Sequence, residues 1–229
     1  MFNMKLLIPI AALLLASLIS CKKDYTIGGS KFVAQVNIST YDYLKTNHLF
    51  DTLVIMIDKM GLKDEVNQAG TFFAVTNYSI RNYVLAKQAY LQVIRNDENL
   101  VYTFDSLDLP SLRDSLRTYM FADRLTRDNI SQIGEWRNSK EGDPRLIELI
   151  PTTDYTNQNV FTTDPKYIYL TKIIARPGFP VPTDSTQLGS VDPSQKLHTP
   201  CQTSGILTTT GVIHVLVNYH TFNYYGNSY

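Results

Sequence analysis

Apolar and polar positions along the first half of the chain follow helical spacing. Ser39-Thr40-Tyr41-Asp42 has the pattern of a capping box, which predicts a helix start. A second helix is predicted to end at Gly61, because apolar residues recur on one helical face ahead of it. These residues are Phe50, Leu53, Val54, Ile57 and Met60.

A short apolar and aromatic segment at residues 71–76 predicts a strand. Alternation places Phe72 and Ala74 on the face opposite to their neighbours, and both faces are apolar, as in an interior strand. Asn77 stands where an N-cap would begin a helix that runs to about residue 95. A further helix is predicted to open at Pro110, with a buried stripe of Leu112, Leu116, Tyr119 and Met120.

Beyond residue 121 the pattern changes to short segments rich in Ile, Val, Thr and Tyr. Helices followed by strands in one compact unit indicate an α+β domain. Residues 176–200 contain five of the ten prolines, so neither a helix nor an interior strand is expected there, and we predict a long Pro-rich loop. The predicted strands lie at residues 145–150, 166–175, 205–209 and 212–222.

The N-terminal residues 1–20 have the three parts of an export signal: a short positive start, an apolar run and a small residue, Ser20. Leu18-Ile19-Ser20-Cys21 resembles the bacterial lipobox. This resemblance implies cleavage before Cys21, lipid attachment to its thiol and acylation of the new amino terminus. Two or three acyl chains anchor a protein durably, whereas one chain does not. Because Lys22 follows the cysteine, analogy with Gram-negative sorting favours the outer membrane.

The composition of the exported part limits its domain organisation and the kinds of partner it can bind. Residues 21–31 are polar with a Gly-Gly pair and predict a flexible tether, and the remainder has the length of one domain. Removal of Lys5 with the signal leaves 20 Lys and Arg against 21 Asp and Glu, without a long basic run. Nucleic acid is therefore excluded as a partner. Lipidation of Cys21 leaves Cys201 without an intrachain disulfide partner.

Two segments carry the most informative motifs: Thr71-Phe72-Phe73-Ala74-Val75-Thr76-Asn77-Tyr78-Ser79-Ile80 and Thr210-Gly211-Val212-Ile213-His214-Val215-Leu216. They resemble the first and last motifs of the fasciclin domain, Thr-x-Phe-Ala-Pro-Thr-Asn-x-Ala-Phe and Asn-Gly-Val-Ile-His-Val-Ile. The resemblance covers residues 32–222. It implies one fasciclin-like domain, with helices packed against a β-sandwich or a wedge of short strands. The motif residues are Thr71, Phe72, Ala74, Asn77, Gly211 and His214.

Three positions depart from the family pattern. Val75 stands where the family has proline, and Thr210 stands where it has asparagine. Tyr119-Met120 falls where members that bind animal receptors often have a Tyr-His pair. The chain also contains no Arg-Gly-Asp sequence.

The four histidines are His48, His198, His214 and His220. The last two would share one face of an unbroken strand, but a zinc site needs a third and usually a fourth ligand, and no spacing supplies them. We interpret His214 as a core histidine bonded to neighbouring backbone, as the resemblance also suggests. Gly211 is predicted to permit a turn that a side chain would obstruct.

Other candidate chemistry is interpreted as structural. Carboxylate pairs at 97–98, 105/108 and 141/143 lie in polar stretches and are expected to be solvated surface. Cys201 is interpreted as an inert loop cysteine. The chain contains no Gly-x-Ser-x-Gly, His-Glu-x-x-His or phosphate-binding glycine motif. We therefore predict no catalytic residue, no metal and no cofactor.

The aromatic residues near the C-terminus fall into two groups. Tyr219 and Phe222 are predicted to belong to the structure, and the tail at residues 223–229 is expected to be exposed, including Tyr224, Tyr225 and Tyr229.

The sequence predicts a lipid-anchored, non-enzymatic adhesion or binding module of the cell envelope, facing either the periplasm or the cell surface. Its partner is a protein, a neighbouring cell or matrix. The alternative is an accessory glycan-binding lipoprotein of a nutrient-uptake system, whose tyrosines stack on sugar rings. A hydrolase with an unrecognised site is a third hypothesis. The ligand-binding residues are not identified by the sequence.

Overall fold

The computed structural model describes residues 35–152, 164–182, 187 and 191–226. The predicted signal, Cys21 and the tether lie outside these residues. Among the described residues, no helix combines the length and apolar character needed to cross a bilayer. The helices are α1 (Thr40–Lys45), α2 (Asp51–Met60), α3 (Lys63–Asn67), α4 (Asn77–Arg95) and α5 (Arg113–Arg117). The strands are β1 (Thr71–Ala74), β2 (Met120–Phe121), β3 (Glu135–Asn138), β4 (Pro144–Pro151), β5 (Lys166–Ile173), β6 (Lys196–Leu207) and β7 (Val212–Leu216).

The seven strands form one mixed sheet in the order β2-β1-β7-β6-β5-β4-β3. Only β1 and β7 pair in parallel among the described strands. The two edges approach each other, because Phe121 bridges to Ser139 and Lys140 N–H donates to the carbonyl of Met120 at 2.8 Å. The α+β prediction is confirmed, but the strands form one almost closed sheet rather than a sandwich of two.

The long strand β6 explains the curvature of this sheet. Its first half pairs with β5 as far as Pro200, and its second half pairs with β7 from Cys201 onward. Register shifts between Cys201 and Thr203 and between Thr203 and Ile206 bend the strand, as β-bulges do. One strand thus serves two parts of the sheet that face different directions.

The main hydrophobic core lies between the helices and the inner face of the sheet. All four residues of β1 are fully buried and the strand lies between β2 and β7, so the predicted interior strand is confirmed. Ile147 of β4 and Leu170 of β5 bring the inner face of the antiparallel strands into the same core. A smaller apolar cluster on the outer face contains Leu146 and Val191.

Most helix ends agree with the predictions. The hydroxyl of Ser39 accepts from the Asp42 N–H at 3.1 Å, so Ser39 caps α1. Gly61 ends α2 with a left-handed φ of 64°. Helix α4 ends at Arg95, as predicted.

The predicted N-cap at Asn77 is wrong. The hydroxyl of Thr76 caps α4 by accepting from the Ser79 N–H. The side chain of Asn77 instead reaches α2, where Oδ1 accepts from the Thr52 N–H at 2.9 Å and Nδ2 donates to the His48 carbonyl at 2.7 Å. Asn77 therefore satisfies a first-turn N–H of a different helix.

The prediction for residues 176–200 is wrong at its C-terminal end. A 3-10 turn at Pro193–Gln195 leads into β6, which is an interior strand from Lys196 onward. Pro200 is tolerated there because it stands where pairing changes from β5 to β7, and its carbonyl accepts from the Val217 N–H. Residues 183–186 and 188–190 of this loop lie outside the described residues.

The C-terminal segment also differs from the prediction. Strand β7 ends at Leu216, and Tyr219 is 70% exposed. Phe222 is buried, as predicted, but so is Tyr224. Positive φ angles of 56° at Asn223 and 55° at Tyr224 turn the chain back, and the Tyr224 hydroxyl then donates to the carbonyl of Leu170 at 3.0 Å.

Candidate functional site

The two segments that carry the fasciclin resemblance are neighbouring strands. Thr71 lies opposite Val212 and Phe73 lies opposite His214 in the parallel pairing of β1 with β7. These strand residues, with Phe72 and Ala74 among them, are buried. They are therefore part of the core and form no surface that a partner could contact.

Two of the motif residues, Thr71 and Gly211, lie against the backbone of other segments. Thr71 Oγ1 donates to the carbonyl of Asp123 at 2.7 Å and accepts from the Leu125 N–H at 2.8 Å. A Cβ at Gly211 would stand 2.4 Å from the carbonyl oxygen of Ala69. Glycine is thus required at position 211 by the close approach of another backbone segment.

His214 is a fully buried core histidine that hydrogen-bonds to two backbone groups. Nδ1 accepts from the Gly205 N–H at 3.1 Å, so Nε2 carries the proton and donates to the carbonyl of Leu125 at 3.0 Å. The ring also packs on Phe73, with 5.0 Å between ring centroids. Burial lowers the pKa of His214 to about 4, although the bond to Leu125 opposes this.

A second buried histidine, His220, belongs to a chain of hydroxyl groups. The Asn223 N–H donates to the Tyr119 hydroxyl at 2.8 Å, which therefore donates its own proton to His220 Nε2, also at 2.8 Å. His220 Nδ1 then donates to Thr199 Oγ1 at 3.2 Å. Burial and the nearby Arg145 lower the pKa of His220 to about 3.

Arg145 lies beside this chain and is only 1% exposed. Its Nη1 is 2.6 Å from a carboxylate oxygen of Asp143, while its Nε has no hydrogen-bond partner. The guanidinium carbon is 5.9 Å from the ring centroid of Tyr224. Arg145 and Asp143 thus form a partly buried ion pair at this end of the sheet.

An open cleft of about 560 Å³ lies at the same end of the sheet. One wall is helix α4, the second is formed by β5 and β6, and the third is the C-terminal segment. The lining residues are Ala86, Lys87, Tyr90, Lys172, Leu197, Asn223, Tyr224, Tyr225 and Gly226. Its volume falls within the range of about 300–1,000 Å³ that small-molecule sites occupy.

Lysine ammonium groups and tyrosine rings face each other in the cleft. Lys87 Nζ is 5.3 Å from the ring centroid of Tyr225 and 6.0 Å from that of Tyr90. Lys172 Nζ is 6.0 Å from the ring centroid of Tyr224. Neither ammonium group forms an ion pair with a carboxylate of the described residues, so with respect to these residues its N–H donors are available to a ligand.

The outer surface of α4 is unusually apolar. Tyr78, Leu85 and Val93 are 49%, 48% and 79% exposed, and their spacing places them on one face of the helix. Exposed apolar residues on one helix face are typical of protein-binding surfaces. We call Tyr78, Leu85 and Val93 the α4 face.

A polar cluster that sequence reasoning missed lies on the outer face of β4, β5 and β6. Thr171 Oγ1 donates to Glu148 at 2.7 Å and lies 3.0 Å from His198 Nδ1, while Lys196 Nζ is 3.4 Å from Glu148. Burial raises the pKa of Glu148, but hydrogen bonds from His198 and Thr171 outweigh it and hold the pKa below its usual value. Strand alternation was the available signal, since these residues share one face.

This cluster does not have the geometry of a nucleophilic triad. A triad histidine uses one ring nitrogen for the acid and the other for the nucleophile. Here Nδ1 of His198 is the nitrogen near both Thr171 and Glu148, at 3.0 Å and 3.4 Å. The arrangement ties three strands together as a partly buried ion-pair network.

The remaining candidate residues are dispersed or paired. Glu141 pairs with Arg117 at 2.7 Å, so it is not simply solvated. Cys201 is buried in β6 rather than in a loop, and burial raises the pKa of its thiol. Within the described part of the chain, no group of three or more His, Cys, Asp or Glu side chains is arranged to hold a metal ion.

Comparison with known proteins gives no match: no protein-family model matches the sequence, and no curated protein matches it. The α4 face and the cleft are the two surface features of the described residues that suit a ligand.

Proposed function

We propose that this protein is a lipid-anchored, non-enzymatic binding module of the fasciclin type. In this proposal, lipid on Cys21 holds the domain at the outer membrane, where it contacts a protein on a neighbouring cell or in matrix. The adjacency of the two fasciclin-like segments in β1 and β7 supports reading them as parts of one unit.

The observation that carries the adhesion proposal is the α4 face. Burying an apolar surface against a partner is favourable by roughly 25 cal/mol per Å² before the costs of association are subtracted. Leu85 and Val93 expose such surface, and neither belongs to the hydrophobic core. A protein partner that covered them would therefore gain the main driving force of association.

Capture experiments with the full chain in detergent micelles test this proposal. Leu85→Glu and Val93→Glu should each abolish capture of cells or matrix proteins, while thermal unfolding stays unchanged because both side chains are exposed. Ile133→Glu is the matched control, since Ile133 is 85% exposed on the turn before β3. Undiminished capture by both α4 variants would exclude the α4 face as the adhesive surface.

The glycan-binding alternative is favoured by a different observation, the exposed ring of Tyr90 at the cleft. Tyr90 is 52% exposed, and a tyrosine ring offers an apolar face with a polar edge, which suits a sugar. In this alternative the protein is an accessory lipoprotein of a nutrient-uptake system. Retention of the protein by a polysaccharide, lost in Tyr90→Ala and kept in Tyr78→Ala, would favour it over adhesion.

A further inference from the structure

The cleft contains more positive than negative charge. Lys87 approaches from α4 and Lys172 approaches from β5, and no carboxylate of the described residues forms an ion pair with either ammonium group. Asp143 acts electrostatically on Lys172 but is already bound to Arg145. Among the described residues, the cleft therefore has no free carboxylate that would balance its two lysines.

The state of Lys172 shows the effect of this imbalance. Burial lowers its pKa, and the positive charge of Arg145 lowers it further, against the opposing effect of Asp143. A partly buried ammonium without a carboxylate partner costs free energy, which a bound anion would recover. A ligand that suits the part of the cleft lined by Lys172 therefore carries negative charge.

The aromatic groups restrict the kind of anion. Tyr90 offers an exposed ring at the rim, and Tyr225 lies between Lys87 and the core, where its ring also packs on Tyr83. A small inorganic anion would use the lysines but not the ring of Tyr90. A sugar ring with an acidic substituent would use both.

We propose that the cleft binds an acidic sugar, a uronic acid or a sulfated residue of a glycan. Its anionic group pairs with Lys87 and Lys172, and its apolar ring face lies on Tyr90. This inference rests on the glycan-binding alternative and names the class of glycan.

The test measures binding of polygalacturonate and of the neutral polymer dextran to the full chain in detergent. Polygalacturonate should bind more tightly than dextran, and its binding should weaken as salt is added. Lys87→Met and Lys172→Met should each weaken it by about tenfold, the loss of one charge-assisted contact. Lys59→Met is the control, because Lys59 is exposed on α2 away from the cleft lining. The thermal unfolding temperature of Lys172→Met should be no lower than that of the wild type, because methionine removes a desolvated charge.

The outcomes separate this inference from the proposed function. Equal binding of both polymers that is unaffected by the lysine variants would overturn the acidic-sugar assignment and leave glycan binding standing. Capture of a protein partner without binding of either polymer would overturn it and leave adhesion standing. Displacement of polygalacturonate by equimolar inorganic sulfate would overturn it in favour of a small-anion site.

Discussion

Acid should destabilise this domain through His214, and the structure gives the size of the effect. The folded-state pKa is about 4, below the ordinary value of 6.5, because the ring is buried between Phe73 and backbone groups. Between these two values the unfolded chain binds a proton that the folded chain excludes. The stabilisation is therefore complete above pH 6.5 and is lost as the pH falls toward 4.

One proton of difference changes the free energy of unfolding by about 1.4 kcal/mol per pH unit. Over the window from 6.5 to 4, His214 alone should cost about 3 kcal/mol of stability. Stabilities of single domains are typically about 5–15 kcal/mol, so this loss is a large fraction. His220, with a folded-state pKa of about 3, acts in the same direction.

Urea denaturation of the full chain in detergent and of His214→Gln measures the effect of His214 alone. Glutamine retains a donor and an acceptor but does not titrate. The variant should be less stable than wild type at pH 6.5, and the difference should shrink by about 3 kcal/mol at pH 4. Changes at Glu148 and His220 are common to both proteins and cancel. A difference that is independent of pH would refute the buried, neutral state of His214.

Three further predictions concern the anchor and the backbone contacts. Cys21→Ala should leave the protein unlipidated, and phase separation in detergent should then show it in the aqueous phase; unchanged partitioning would contradict the lipobox interpretation. Asn77→Ala should lower the free energy of unfolding by at least about 1 kcal/mol, because it removes the cap of α2. Gly211→Ala should destabilise by about 1–3 kcal/mol in the same urea assay, since its Cβ would stand 2.4 Å from a backbone oxygen; wild-type stability would show that this backbone yields easily.

Features set by neighbouring residues could be predicted from the sequence. The Ser39 cap and the left-handed Gly61 depend on a few adjacent positions, and the structure has both. Asn77 shows the limit of this reasoning. Its amide reaches a helix whose first turn lies 25 residues earlier in the chain, so local capping rules assign the side chain to the wrong helix.

The strand at Pro200 and the burial of Tyr224 were missed for related reasons. A proline in a strand normally costs a ladder hydrogen bond, but at Pro200 the strand is changing partners. Tyr224 follows Asn223 and lies two residues before Gly226, a composition typical of an exposed tail. Its burial depends on two positive φ angles and on the carbonyl of Leu170, neither of which has a signature in the sequence.

The cleft combines segments that are far apart in the chain, yet strand alternation contains part of the signal for it. Lys172 follows Ile168 and Leu170 at two-residue spacing, so the pattern that places those residues in the core also places a lysine on the inner face. Arg145 precedes Ile147 on β4 in the same way, and the pairing of Leu146 with Thr171 brings the two cations to the same end of the sheet. Of these two inward-facing cations, Arg145 is paired with Asp143, whereas Lys172 forms no ion pair with a carboxylate of the described residues and lines the cleft. Unpaired charges rarely face inward, so Lys172 is the residue of this strand pattern with which the proposed acidic ligand would pair.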